Sequence, residues 1–256
     1  MGRVAMAPAL DAREIIAERT RTIDQIKRLY AVVMGYAVTT CFSNIYACAR
    51  NIGFDDTIGL SIILAQGITF VSLITLFFLG AERLLDTRYL QADSRVPSPS
   101  GLLFDLFSLG LTAAWFVVLA NTFADASKGQ LKDTDLQAEL GAFITNLLIL
   151  YGLDTFLLVC QLIRARGGPV SSRQDAIYAH VWWIVLNLVC GAALVWLIPL
   201  FAGRVIALGW RLDAVAVAVC ALHVARFFAD FMRTYRFYYP PWELPRSQQR
   251  VSQTAF

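Results

Sequence analysis

Residues 58–80 read IGLSIILAQGITFVSLITLFFLG, without a single charged side chain, and Glu82 and Arg83 follow at once. A helix rises about 1.5 Å per residue, so a run of this length covers the roughly 30 Å of a bilayer's hydrocarbon core. It reads as a transmembrane helix. Outward from it the pattern recurs, predicting helices at 29–49, 58–80, 101–121, 140–163, 178–201 and 213–235. Polar or helix-breaking segments separate them. Asn51-Ile52-Gly53 and Asp55-Asp56 precede the second, Pro97-Ser98-Pro99-Ser100-Gly101 the third, and the polar loop 122–138 the fourth. Gly167-Gly168-Pro169 follows the fourth and Pro240-Pro241 ends the sixth.

Composition agrees. Of 256 residues 57% are apolar and 16% charged, against roughly 45–50% and about 25% in soluble globular chains. Mean hydropathy is +0.57. So much apolar surface cannot be hidden in a soluble core of this size. The expected fold is an all-α integral membrane protein, a six-transmembrane-helix bundle across 29–239. A cytoplasmic N-terminal segment (1–28) precedes it and a cytoplasmic tail (240–256) follows. Within 10–27, Leu10, Ile15, Ile16, Ile23 and Ile26 recur at helical spacing among charges, which predicts a separate amphipathic helix. Such a helix suits anionic headgroups, a place beneath the bundle, or subunit contacts.

Lysine and arginine set the orientation. The N-terminal segment, the loops after the second and fourth helices and the tail carry 16 of them; the alternate loops carry 5. Arg226, inside the sixth span, completes the 22. Both termini are therefore expected in the cytoplasm, and a bacterial inner membrane is the expected location. Tyr235, Phe237, Tyr238, Tyr239 and Trp242 suit an interfacial belt, Trp182 and Trp183 lie near the inner end of the fifth span, and Trp210 falls in an outer loop.

Several function classes are disfavoured. A net charge of +3 with no basic, aromatic-interleaved patch argues against nucleic acid. Cys41, Cys48, Cys160, Cys190 and Cys220 all fall in apolar runs, an odd number with no Cys-x-x-Cys pair, so they read as packing residues. No metalloprotease, nucleophile-elbow, phosphate-loop or dinucleotide signature is present. His180 and His223 lie at different depths, unlike a haem pair, and no lysine within a span offers a Schiff base. No enzyme activity, metal or cofactor is expected.

Ionisable groups inside a bilayer are costly enough, at least ~2.5–3.5 kcal/mol, to suggest function. Asp154, Asn187 and Arg226 fall near the midplane on helices four, five and six, with His223 one turn outward of Arg226 and Asp230 one turn inward. They either lock helices together as a buried ion pair with an amide partner, or line a water-filled path. Near the inner interface, Asp105 and Asp230 can pair with Arg83 or Arg233, beside Glu82, or form an acidic vestibule. Asn44 and Gln66 share a depth in the outer half and are candidates for helix packing or a pore lining.

Phe42-Ser43-Asn44-Ile45-Tyr46-Ala47 is similar to the Phe-Ser-Asp motif in the first helix of six-span bacterial relatives of the lysosomal potassium channel. The likeness covers six residues, Asn44 stands where that family has Asp, and Phe42 lies deep in the helix with no Arg just before it. It assigns no family. A second internal likeness relates Phe77-Phe78…Arg83…Tyr89 to Phe227-Phe228…Arg233…Tyr239 at an offset of 150. It fits either a parallel repeat or the usual cytoplasmic ending of an inward-running helix.

Two functions follow as expectations: a channel or transporter-like conduit for an ion or small solute, or a membrane interaction, assembly or signalling subunit with structural charges. The lipid bilayer is the expected partner. A homo-oligomer, or a protein partner through 10–28 or 242–256, is compatible with either.

Overall fold

A computed structural model describes residues 12–53, 56–90, 99–122, 133–165, 170–199 and 212–238. These form α1 (Ala12–Ile52), α2 (Thr57–Leu85) with a π-helical extension (Asp86–Leu90), α3 (Pro99–Asn121), α4 (Asp133–Ala165), α5 (Val170–Pro199) and α6 (Leu212–Tyr238). The described residues contain six helices long and apolar enough to cross a membrane. Successive helices run in opposite directions. The end where α1 begins and α2 finishes is called the basic end below, the opposite one the far end.

The predicted N-terminal helix is not a separate element. No Gly or Pro interrupts the chain between 10 and 34, so the amphipathic stretch continues directly into the first span. The result is one helix of 41 residues, about 60 Å long, twice what a bilayer core requires. The excess projects from the basic end, where buried Ile23 and half-buried Ile26 pack against Leu85 and Tyr89. Lys27 Nζ lies 2.5 Å from Asp86 Oδ1. Leu10 and the 240–256 tail lie outside the described residues, as do Tyr239, Trp242 and Trp210.

α4 also starts earlier than expected, taking Asp133 and Asp135 from the polar loop. Carboxylates suit a helix N-terminus, whose free N–H groups carry partial positive charge. The α1–α2 turn follows its sequence signals closely. Gly53 adopts φ +88°, a left-handed conformation that glycine takes without a Cβ clash. Asp56 caps α2 by accepting from the N–H groups of Ile58 and Gly59, each at 3.1 Å.

Around the bundle the helices stand in the order α1, α3, α4, α5, α6, α2, each packed on the next, with α2 again against α1. α2 also touches α3 and α4 across the middle. The far half is an apolar core. Phe70 and Phe77 meet Phe116 edge-on at 5.8 and 5.2 Å, among Ile62, Ile63, Phe143 and Leu147. Cys41, Cys48 and Cys190 are buried in the same cluster. Asn44 donates to the Ala120 carbonyl at 3.0 Å and Trp115 to that of Asn146 at 3.0 Å, tying α1 to α3 and α3 to α4. Large apolar side chains such as Tyr36, Phe107, Phe156, Trp196 and Met232 point outward, consistent with a bilayer environment.

α2 and α6 are parallel neighbours, yet the repeated letters occupy different surroundings. Phe77 packs on Phe116 and Phe78 stacks on Tyr30 at 6.0 Å. Phe227 stacks on Phe231, and Phe228 is 60% exposed.

A Cβ added at Gly67 would lie 2.7 Å from Ile45 Cδ1, so α1 and α2 approach closely there. Gly67→Val is expected to destabilise the bundle by about 1–3 kcal/mol through overpacking. Thermal unfolding in detergent checks this, with Ile45→Ala added to Gly67→Val restoring most of the loss.

Candidate functional site

The buried face of α6 changes chemistry halfway along. Val215, Ala216 and Val219 occupy it in the far half, then His223, Arg226, Asp230 and Thr234 at successive turns. Helical spacing makes this stripe continuous. The polar half must find partners on neighbouring helices, because a buried polar group left unpaired costs free energy.

At mid-depth those partners are Asn187 of α5 and Asp154 of α4. Arg226 Nη2 donates to Asn187 Oδ1 at 2.6 Å, and Asn187 Nδ2 donates to Asp154 Oδ2 at 2.7 Å. The direct ion pair expected between Asp154 and Arg226 is therefore replaced by a three-residue chain with the amide in the middle. An amide presents an acceptor to the cation and a donor to the anion, so it transmits the attraction while holding the charges apart. The Arg226 guanidinium also stacks on the Tyr151 ring, 4.8 Å from its centroid.

Hydrogen bonding in this layer is incomplete. Arg226 is 6% exposed, and its Nε and Nη1 are buried without a hydrogen-bond partner. The Tyr151 and Tyr30 hydroxyls and His223 Nε2 are in the same condition. His223 uses Nδ1 on the Val219 carbonyl at 2.6 Å and stacks on Tyr151 at 5.9 Å.

Between this layer and the basic end lies a cavity with about 640 Å³ of atom-free space, its open mouth included. All six helices contribute. Its polar wall includes Asp154 and Gln161 from α4, Ser108 and Thr112 from α3, and Arg226 and Asp230 from α6. Tyr30, Phe77 and Trp183 add aromatic side chains, and Leu76, Leu84, Leu157 and Leu158 an apolar lining. At Gly80 an added Cβ would meet nothing nearer than Trp183 Cη2 at 3.9 Å, so the missing side chain leaves room.

Three polar clusters lie in this half of the bundle. Asp230, 3% exposed, accepts from Trp183 Nε1 at 2.7 Å and from Thr234 Oγ1 at 3.2 Å. Trp183 thus serves as a wall of the cavity, where the sequence suggested an interfacial position. His180 and Gln161, both buried, hydrogen-bond at 3.1 Å. Asp105, 2% exposed, receives Arg88 Nη1 at 2.9 Å, Arg164 Nη1 at 3.1 Å and the Tyr89 hydroxyl. Of the two expected partners, Arg233 lies elsewhere. Arg233 stands over Trp182 at 6.0 Å, and half-buried Glu82 and Arg83 do not line the cavity. Arg88 lies on the π-helical extension and Arg164 on the last turn of α4, so Asp105 closes α2, α3 and α4 at the basic end.

Asn44 and Gln66 take no part in the cavity. Asn44 packs α1 on α3, and Gln66 is buried in α2 in the far half. Sequence reasoning missed Tyr30, Tyr151, Trp183, Gln161, Ser108 and Thr112. Five of these carry a spacing signal: Tyr151 precedes Asp154 by three, Gln161 follows it by seven, Trp183 precedes Asn187 by four, and Ser108 precedes Thr112 by four. Among the described residues no three His, Cys, Asp or Glu side chains converge as a metal site.

Comparison with protein families, curated proteins and solved structures found no match in any of the three.

The Asp105 cluster generates a stability prediction. Asp105→Ala removes the shared acceptor of two part-exposed guanidinium groups and a hydroxyl, and should cost about 1–3 kcal/mol. Arg88→Ala or Arg164→Ala leaves one cation on the carboxylate and should cost clearly less. Ranking the three by thermal unfolding in detergent checks the assignment, and equal losses would contradict it.

Proposed function

We propose that this protein is a membrane transporter of the carrier type, which takes a small solute into the cavity from the basic end. One observation carries the reading: a cavity built by all six helices reaches a charged and amidic layer at mid-depth. Binding pockets are typically lined this way, mostly apolar with a few convergent polar groups. A dead end against the apolar far half suits a carrier caught in one orientation better than an open pore. The excess of lysine and arginine at the basic end supports a cytoplasmic position for that end and for both termini, and a bacterial inner membrane is part of the same proposal.

A second reading has its own support. Because Asn187 joins Arg226 to Asp154 with good geometry on both sides, the layer also suits a structural clasp in an interaction or signalling subunit.

Uptake into proteoliposomes separates the two. With a radiolabelled panel of small amines, amino acids and monocarboxylates, at least one solute should accumulate above empty liposomes. Asp154→Asn should reduce that uptake at least about tenfold, the equivalent of one lost charged contact. Gly80→Leu, which fills the cavity, should do the same, and outward-facing Met232→Leu should leave it unchanged. If no solute in the panel enters, and exchanging the residues at 154 and 226 preserves folding, the clasp is correct and the carrier is not.

A further inference from the structure

We infer that the ligand of this cavity is a small organic cation of the alkylammonium class, held by the Asp154 carboxylate between aromatic walls. The inference rests on the reading of the cavity as a solute site and adds the sign and chemistry of the solute.

Three charged residues line the space, two carboxylates and one guanidinium. They are not equally available. Arg226 is 6% exposed with Nε and Nη1 fully buried, and its Nη2 is already given to Asn187. Asp230 is 3% exposed and receives Trp183 and Thr234. Asp154 is half-buried and spends Oδ2 on Asn187; among the described residues no hydrogen bond reaches its Oδ1. The charge that an entering molecule meets is therefore negative.

The surroundings select among cations. Trp183, Phe77 and Tyr30 line the same space, and aromatic rings attract ammonium groups once water is removed. Leu76, Leu84, Leu157 and Leu158 suit alkyl substituents. A bare metal ion, which takes six or more oxygen ligands, would leave the aromatic and leucine walls of the same space unused. An anion would meet two carboxylates and find the only guanidinium occupied or covered. A cation on Asp154 Oδ1 also leaves the chain Asp154–Asn187–Arg226 intact, so binding needs no rupture of the layer that joins α4, α5 and α6.

The test uses the purified full-length protein in detergent, with thermal unfolding as the readout. Tetramethylammonium chloride is compared with sodium pivalate and tert-butanol, an anion and a neutral molecule of similar shape, at matched ionic strength. Tetramethylammonium should raise the unfolding temperature in a saturable way, and the other two should not. Asp154→Asn keeps the shape and removes the charge; it should weaken the apparent affinity at least about tenfold. Gly80→Leu should abolish the shift without changing any charge, and serves alone if Asp154→Asn does not fold. A shift by pivalate or tert-butanol that equals or exceeds that of tetramethylammonium, and is lost in Gly80→Leu, overturns the cation while leaving the solute site standing. A tetramethylammonium shift unaffected by both substitutions also overturns it. No shift with any of the three probes removes the cation and the solute site together.

Discussion

Arg226 is a permanent cation buried halfway along an apolar bundle, and much of the basic half is organised by the need to accommodate it. A guanidinium cannot shed its charge at any ordinary pH, so its surroundings must supply compensation. They do so at one remove. Asn187 accepts from Arg226 and donates to Asp154, which joins three helices through one amide. The Tyr151 ring covers the guanidinium face. Leucine at position 187 would leave a cation and an anion facing each other without a bridge, so the amide is as necessary as either charge.

This arrangement divides the molecule along its length. In the far half, α6 offers Val215, Ala216 and Val219 to an interior filled by interlocking Phe70, Phe116 and Phe143. In the basic half the same face offers Arg226, Asp230 and Thr234, and Arg226 and Asp230 line open space beside their hydrogen-bond partners. Close packing and open volume thus follow one helix face as its side chains change from apolar to polar. Asp105 supports the open half from below. With Arg88, Arg164 and Tyr89 on one carboxylate, it closes α2, α3 and α4 where the cavity removes ordinary core contacts.

Much of the fold is legible without coordinates because water and lipid impose strong rules. Uncharged runs such as 58–80 mark helices by length alone, and Gly53 and Asp56 mark a turn by their backbone chemistry. The depth of Asp154, Asn187 and Arg226 could be counted from the helix ends, which brought these three hydrogen-bonded residues to one level. Their connection could not be counted, since rotation about each helix axis decides whether a side chain meets its neighbour. The same limit explains Asp105. Arg83 and Arg233 lie at a suitable depth, yet Arg88 and Arg164 reach the carboxylate because the π-helical extension and the last turn of α4 carry them round to it.

The sequence by itself determined six apolar helices, their alternating direction and a polar layer at mid-depth, since each depends on composition along one axis. Only the tertiary structure decided the order of helices around the bundle, the continuity of α1 with its N-terminal stretch as a prop beneath α2, and the cavity. Those depend on lateral packing. A cavity above all is a property of no single segment: Tyr30, Phe77, Thr112, Asp154, Trp183 and Arg226 come from six helices and meet only when all six are in place.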